Sequence, residues 1–276
     1  MSRLTLKLLA GVVLASLASP ALAADPYYPP VEEAPPPPVV AAPVSFSGWY
    51  LRGDLDYHWT DFRGATYELP YAYPGSYGVF DYGDIDGSWS LGAGIGYQFN
   101  NYIRTDVTLD YLFDADFTGQ TTGYCSGGYL CTSVDTTSYN AWLLLANAYV
   151  DLGTWYGITP YVGAGIGGAY VNWDTLTNTT DDGTFQHEGG SDWRFAYGVM
   201  AGASYCLTSN VLLDVGYRYS RIDGGEMFGY AYGAGPGTDD GLGINEVRGG
   251  LRYQFGAGSP ACAPAQVAYE PEPVYK

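Results

Sequence analysis

Apolar and polar side chains alternate with a period of two along eight separate stretches of this chain. A period of two sends successive side chains to opposite faces of an extended strand, and no helical register sorts residues that way. The first stretch, residues 49–59, puts Trp49, Leu51, Gly53, Leu55, Tyr57 and Trp59 on one face and Tyr50, Arg52, Asp54, Asp56 and His58 on the other. Residues 89–99, 103–113, 139–152, 160–173, 193–207, 211–222 and 245–255 repeat the pattern. Stretches of about 11 residues have the length a tilted strand needs to cross a bilayer. An even number lets a single chain close an antiparallel barrel. The expected fold is therefore all-β: an eight-stranded antiparallel transmembrane up-and-down β-barrel.

The links between stretches alternate in length. Residues 100–102, 153–159 and 208–210 are short links, whereas 60–88, 114–138, 174–192 and 223–244 are long. Short turns on one rim and long loops on the other are the pattern of bacterial outer-membrane barrels, with the turns and both chain ends in the periplasm and the long loops extracellular. Aromatic residues gather at strand ends, as expected of girdles at the two lipid interfaces. Trp59, Trp89, Tyr111, Phe113, Trp142, Trp173, Phe195, Tyr197, Tyr217 and Tyr219 are assigned to the outer rim, and Trp49, Phe99, Tyr102, Trp155, Tyr161, Tyr205, Tyr253 and Phe255 to the periplasmic rim. The competing reading is a soluble barrel with its apolar face inward, which needs no double belt. Composition sides with the membrane: 28 Tyr, 7 Trp, 10 Phe and 39 Gly stand against only 11 Lys+Arg.

The chain ends place the protein in the export pathway. Arg3 and Lys7 precede an apolar run at 8–18, followed by Ser19-Pro20-Ala21-Leu22-Ala23. That is the layout of a secretory signal peptide over residues 1–23, too short for a spanning helix. Residues 24–45 and 257–276 are proline-rich and read as extended periplasmic segments. Between them, 46–256 is one barrel domain by length.

If the apolar face meets lipid, the polar face fills the lumen. That face supplies Arg52, Asp54, Asp56, Arg104, Asp106, Asp110, Asp151, Arg194, Asp214, Arg218, Glu246, Arg248 and Arg252. Buried charges must be paired, and this near-balanced set is expected to form a salt-bridged plug, because an eight-stranded barrel is only just wide enough to be filled by its own side chains. Glycines on the same face (Gly92, Gly94, Gly96, Gly163, Gly165, Gly167) leave room for water. The long loops are acidic, with Asp181-Asp182 and Asp239-Asp240 paired, and read as a solvated surface; no spaced calcium-loop motif or Cys/His metal spacing is present. A net charge of −18 opposes nucleic-acid binding.

Of the four cysteines, Cys125 and Cys131 share a long loop, while Cys206 ends a strand at the opposite rim and Cys262 lies in the tail. In an oxidising compartment topology favours the pairs Cys125–Cys131 and Cys206–Cys262. The two histidines are His58, on the lumen face beside Asp56, and His187, in a long loop. Ser90 and Ser220 approach His58 only by accident of register, so no hydrolase site is expected.

Four pieces spread along the barrel carry a resemblance: Gly48-Trp49-Tyr50-Leu51-Arg52-Gly53-Asp54, Asn147-Ala148-Tyr149-Val150-Asp151-Leu152-Gly153, Thr159-Pro160-Tyr161-Val162-Gly163-Ala164-Gly165-Ile166-Gly167, and Glu246-Val247-Arg248-Gly249-Gly250-Leu251-Arg252-Tyr253-Gln254-Phe255. They resemble the small porin-like outer-membrane proteins of alphaproteobacteria, an OmpA-like barrel family. The resemblance implies an eight-stranded barrel, envelope integrity, surface exposure and, for some members, haemin binding. Phe255 resembles the terminal aromatic read by the barrel-assembly machinery, although a tail follows it here. Some members are tied to peptidoglycan through a mature Ala-Asp N-terminus, which Ala24-Asp25 matches; the linker behind it reaches roughly 65 Å at ~3.1 Å per residue. The expected partners are outer-membrane lipid and lipopolysaccharide, the assembly machinery and peptidoglycan, with no cofactor. The expected function is structural, not enzymatic. The second reading is a narrow porin or a surface receptor of the haemin-binding kind.

Overall fold

We describe a computed structural model covering residues 47–69, 75–256, 258, 259 and 262. The expected signal peptide over residues 1–23, the expected 24–45 linker with Ala24 and Asp25, and most of the 257–276 segment lie outside the described residues.

Long antiparallel strands form a closed ring. In chain order they are β1 Gly48–Phe62, β2 Tyr82–Gln98, β3 Ile103–Gln120, β4 Val134–Asp151, β5 Ile158–Trp173, β6 Ser191–Cys206, β7 Val211–Ile222 and β8 Leu242–Gln254. Each pairs with its sequence neighbour, and β8 closes on β1 through a register that sets Arg52 opposite Arg252, Asp56 opposite Arg248 and His58 opposite Glu246. Closure leaves the ring of eight strands with no open edge within its paired span, which a spanning sheet requires because lipid offers no hydrogen bonds.

The alternation seen in the sequence becomes an alternation of exposure. Along β1, Tyr50, Arg52, Asp54, Asp56, His58 and Thr60 are buried, while Leu51, Leu55, Tyr57 and Trp59 face outward. Leu91, Ile95, Val107, Leu109, Leu144, Val162, Ile166, Val199, Val215, Val247 and Leu251 extend that outward apolar band round the barrel. An exposed apolar surface this continuous has no place in water. It matches the lipid-facing belt of a membrane barrel.

Several strands run further toward the long-loop end than the alternation predicts, three of them by five residues or more. β2 begins at Tyr82 rather than 89, β3 continues to Gln120 rather than 113, and β4 begins at Val134 rather than 139. Bulges explain the shortfall. In β3 the register slips between Leu112 and Ala115, so Phe113 and Asp114 both face outward before Ala115 and Phe117 turn back in. A bulge opposes two residues to one and resets the parity. The long loops also hold more β-structure than expected. Ala65–Glu68 joins Tyr77–Val79, Gly237–Asp239 and Gly225–Phe228 in a small sheet. The hairpin Leu176–Thr180/Gly183–His187 extends the edge of β4.

Candidate functional site

The interior of the barrel is built in two storeys. Toward the short-turn end it is charged. Arg52 contacts Asp54 at 2.7 Å and Asp106 at 3.2 Å. Arg248 reaches Asp54 at 3.3 Å, Asp56 at 2.9 Å and Asp110 at 3.4 Å. Arg218 joins Asp110 at 2.6 Å to Glu246 at 2.5 Å, and all three side chains are fully buried. Below them Arg104 pairs with Asp151 at 3.1 Å, and Arg252 with Asp214 at 3.2 Å. Some pairs join neighbouring strands, such as Arg104 with Asp151 and Arg252 with Asp214, while others reach across the lumen, such as Arg218 with Asp110 and Arg52 with Asp106.

Tyrosines complete the lower storey, a contribution the charge pattern left unnoticed. The Arg104 guanidinium lies between the rings of Tyr149 (4.1 Å) and Tyr161 (4.6 Å), a cation–π sandwich. The Tyr50 hydroxyl donates to Asp106, and the Tyr149 hydroxyl accepts from Arg52. Tyr161, assigned from the sequence to an aromatic rim, points inward instead. Its neighbours on that face, Gly163 and Gly165, share its parity, which was the available signal. The lumen glycines do not leave room for water. A Cβ on Gly96 would collide with the Tyr50 ring, and one on Gly163 would meet Tyr149 at 2.6 Å. Gly92, Gly94, Gly96, Gly163 and Gly165 are seats for side chains of adjacent strands, while Gly167 lets the Leu144 backbone come close.

Toward the long loops the interior turns apolar, which corrects the expectation of a wholly polar lumen. Leu112, Leu143, Leu145, Val171, Ile222 and Ile244 are buried there and pack with Phe117, Met227 and Phe228. Each barrel residue in this group continues the inward parity of the charged set: Leu112 follows Asp106 and Asp110, and Ile244 precedes Glu246 and Arg248. Trp173, assigned to the outer girdle, belongs to this cluster and donates its indole N–H to Asp239 at 3.1 Å. Arg194 is buried but stands apart from the other lumen charges. It grips Asp239 at 2.7 Å, Asp192 at 2.7 Å and the carbonyl of Glu226, holding the small loop sheet to β6.

The remaining candidate residues are separate. Ser90 donates to Glu246 rather than to His58, whose ring nitrogens make no hydrogen bond. The Nδ1 of His187 faces the Gly229 carbonyl at 3.3 Å. Disulfides join Cys125 to Cys131 and Cys206 to Cys262, so residue 262 is tied back to the short-turn rim. Among the described residues no group of three or more His, Cys, Asp or Glu is placed to hold a metal ion.

A closed antiparallel ring with an apolar outside, aromatic ends and a charge-paired inside is a transmembrane β-barrel of the bacterial outer membrane. The family model for the outer membrane protein beta-barrel domain matches residues 12–255, and the chain belongs to that family. It is 39% identical over 245 residues to an uncharacterized protein of Brucella abortus (strain 2308), covering 76% of this chain and 86% of that one. Outer membrane protein PagN of Salmonella typhimurium is 29% identical over 145 residues, 48% of this chain and 57% of PagN. Among solved structures, Neisserial surface protein A aligns over 76% of this chain and 99% of its own, with 18% identity and a TM-score of 0.45.

Proposed function

We propose that this chain is a structural barrel of the outer membrane, closed to solutes, that contributes to envelope integrity. The observation that carries this reading is the double filling of the lumen. A solute would have to displace the fully buried Arg218–Asp110–Glu246 group and then an apolar plug continuous with the loop sheet. Breaking a buried ion pair without replacing it costs several kcal/mol, so transit is opposed at each storey. The same filling argues against the narrow porin. Reconstituted in planar bilayers, the full chain is expected to give no steady single-channel steps; uniform, reproducible steps would overturn the reading.

In this reading the short turns and both chain ends face the periplasm, the long acidic loops face outward, and the assembly machinery reads the strand ending at Phe255. The outer band meets acyl chains, and the rim of the long-loop end meets lipopolysaccharide. The Ala24-Asp25 terminus tethers the barrel to peptidoglycan through the proline-rich linker. Muropeptides carrying an Ala24-Asp25 stub should then appear after protease and muramidase digestion of the cell wall. Finding only free N-termini by exhaustive mass spectrometry would remove the tether and leave the barrel reading in place.

A further inference from the structure

Among the buried carboxylates of the described residues, Asp54, Asp56, Asp106, Asp110, Asp151, Asp214, Asp239 and Glu246 each have an arginine nitrogen within 3.2 Å. Asp135 is the exception. It is 1% exposed and accepts hydrogen bonds from Ser133 Oγ at 2.7 Å and Asn178 Nδ2 at 2.5 Å, with no arginine or lysine beside it. His187 is nearby, yet its Nδ1 faces the Gly229 carbonyl and it makes no ion pair with Asp135. A buried carboxylate held only by neutral donors is costly to keep charged; it is relieved either by taking up a proton or by gaining a cationic partner.

Asp135 lines a partly open cavity of about 560 Å3 among the long loops, with none of the paired lumen arginines in its walls. That volume falls in the range of small-molecule sites. Its walls are aromatic. Phe80 lies edge-on to both Tyr67 and Phe228 at 6.2 and 6.3 Å between ring centres, and Phe185 packs on Tyr232 at 5.2 Å. Ring faces attract cations, most strongly where water is excluded. The mouth is braced by the Cys125–Cys131 disulfide and by Asp182, which accepts from the backbone N–H and hydroxyl of Ser126 at 2.6 and 2.5 Å.

We propose that this cavity binds a small organic cation with an aromatic ring and a protonated amine, the ammonium paired with Asp135 and the ring lodged among Phe80, Phe185, Phe228 and Tyr232. The proposal goes beyond the structural role, and its failure leaves that role untouched, because ligand binding and conductance are separate readouts.

The test is titration calorimetry on the full chain in zwitterionic lipid nanodiscs, with empty nanodiscs as the blank. The probes are tryptamine and indole-3-propionate, which share ring and chain length and differ in charge. Tryptamine is expected to bind at least about tenfold more tightly than the carboxylate. Asp135→Asn, checked for folding by its heat-modifiable gel mobility, should weaken tryptamine about tenfold or more. Tyr232→Ala, at a residue 75% exposed and outside the buried cluster, should weaken tryptamine several-fold while keeping the preference over the carboxylate. Equal affinity for the two probes, no tryptamine binding below about 10 mM, or unchanged affinity in a folded Asp135→Asn protein would each overturn the proposal.

Discussion

Arg218 sits with no exposed surface between Asp110 and Glu246, so its loss would be felt on two strands at once. In Arg218→Met, Asp110 keeps only Arg248 at 3.4 Å, and Glu246 keeps no arginine. Leaving a buried charge without its partner costs about 3–5 kcal/mol. The variant should therefore lose its heat-modifiable gel form at a clearly lower urea concentration than the parent. Adding Glu246→Leu should recover part of the loss, since a buried pair replaced by apolar residues is often close to neutral. If the single variant unfolds at the parental urea concentration, the ion pairs are not what fills the lumen. Arg63 is the contrast: its partner is the Tyr219 hydroxyl at an exposed site, and its removal should change stability by no more than about 0.5 kcal/mol.

At the scale of strands and hairpins, Asp182 makes a contact at the long-loop end that pH can release. Hydrogen bonds from the Ser126 hydroxyl and amide hold its carboxyl below the ordinary aspartate value of 3.8. A carboxylate with a depressed pKa contributes its stabilisation above the unfolded value and loses it as the pH falls through the folded one. The clasp between the Thr122–Tyr124/Leu130–Thr132 hairpin, which carries Ser126, and the Leu176–Thr180/Gly183–His187 hairpin should thus be complete at neutral and mildly acidic pH and open only below about 3.8. Hydrogen exchange at the Ser126 amide, corrected for its intrinsic rate, should show protection that disappears in that acid range. Protection that is the same on both sides of it would show that the carboxylate does not hold this amide.

The sequence revealed the barrel strands wherever the alternation ran unbroken. β7 begins and ends where periodicity places it, because residues 211–222 carry no bulge. β3 was cut short at the slip after Leu112, since a pattern of period two cannot be followed through a residue that resets it. The lumen charges were legible because polar residues on an otherwise apolar strand are conspicuous. The upper storey was not, because Leu143 and Leu145 look no different from the lipid-facing Leu144 until parity is traced down to Asn147 and Asp151. Trp173 was misassigned for the same reason: an aromatic at a strand end suits either a girdle or a plug. The loop sheet and Asp135 lay beyond reading, since their partners come together only across the mouth of the closed barrel.

For the molecule as a whole, everything follows from which side of the sheet meets hydrocarbon and from the inside being filled. Both halves can be read in one experiment, a nitroxide scan of β1 at positions 51 to 58 in lipid vesicles. Oxygen, concentrated in lipid, should relax labels at 51, 53, 55 and 57, while a water-soluble nickel chelate should reach none of these. Labels at 52, 54, 56 and 58 that are tolerated should be reached by neither. Nickel access at the even positions would mean a water-filled channel, and nickel access at the odd positions would mean an outer surface facing water; either result contradicts a sealed barrel in the outer membrane.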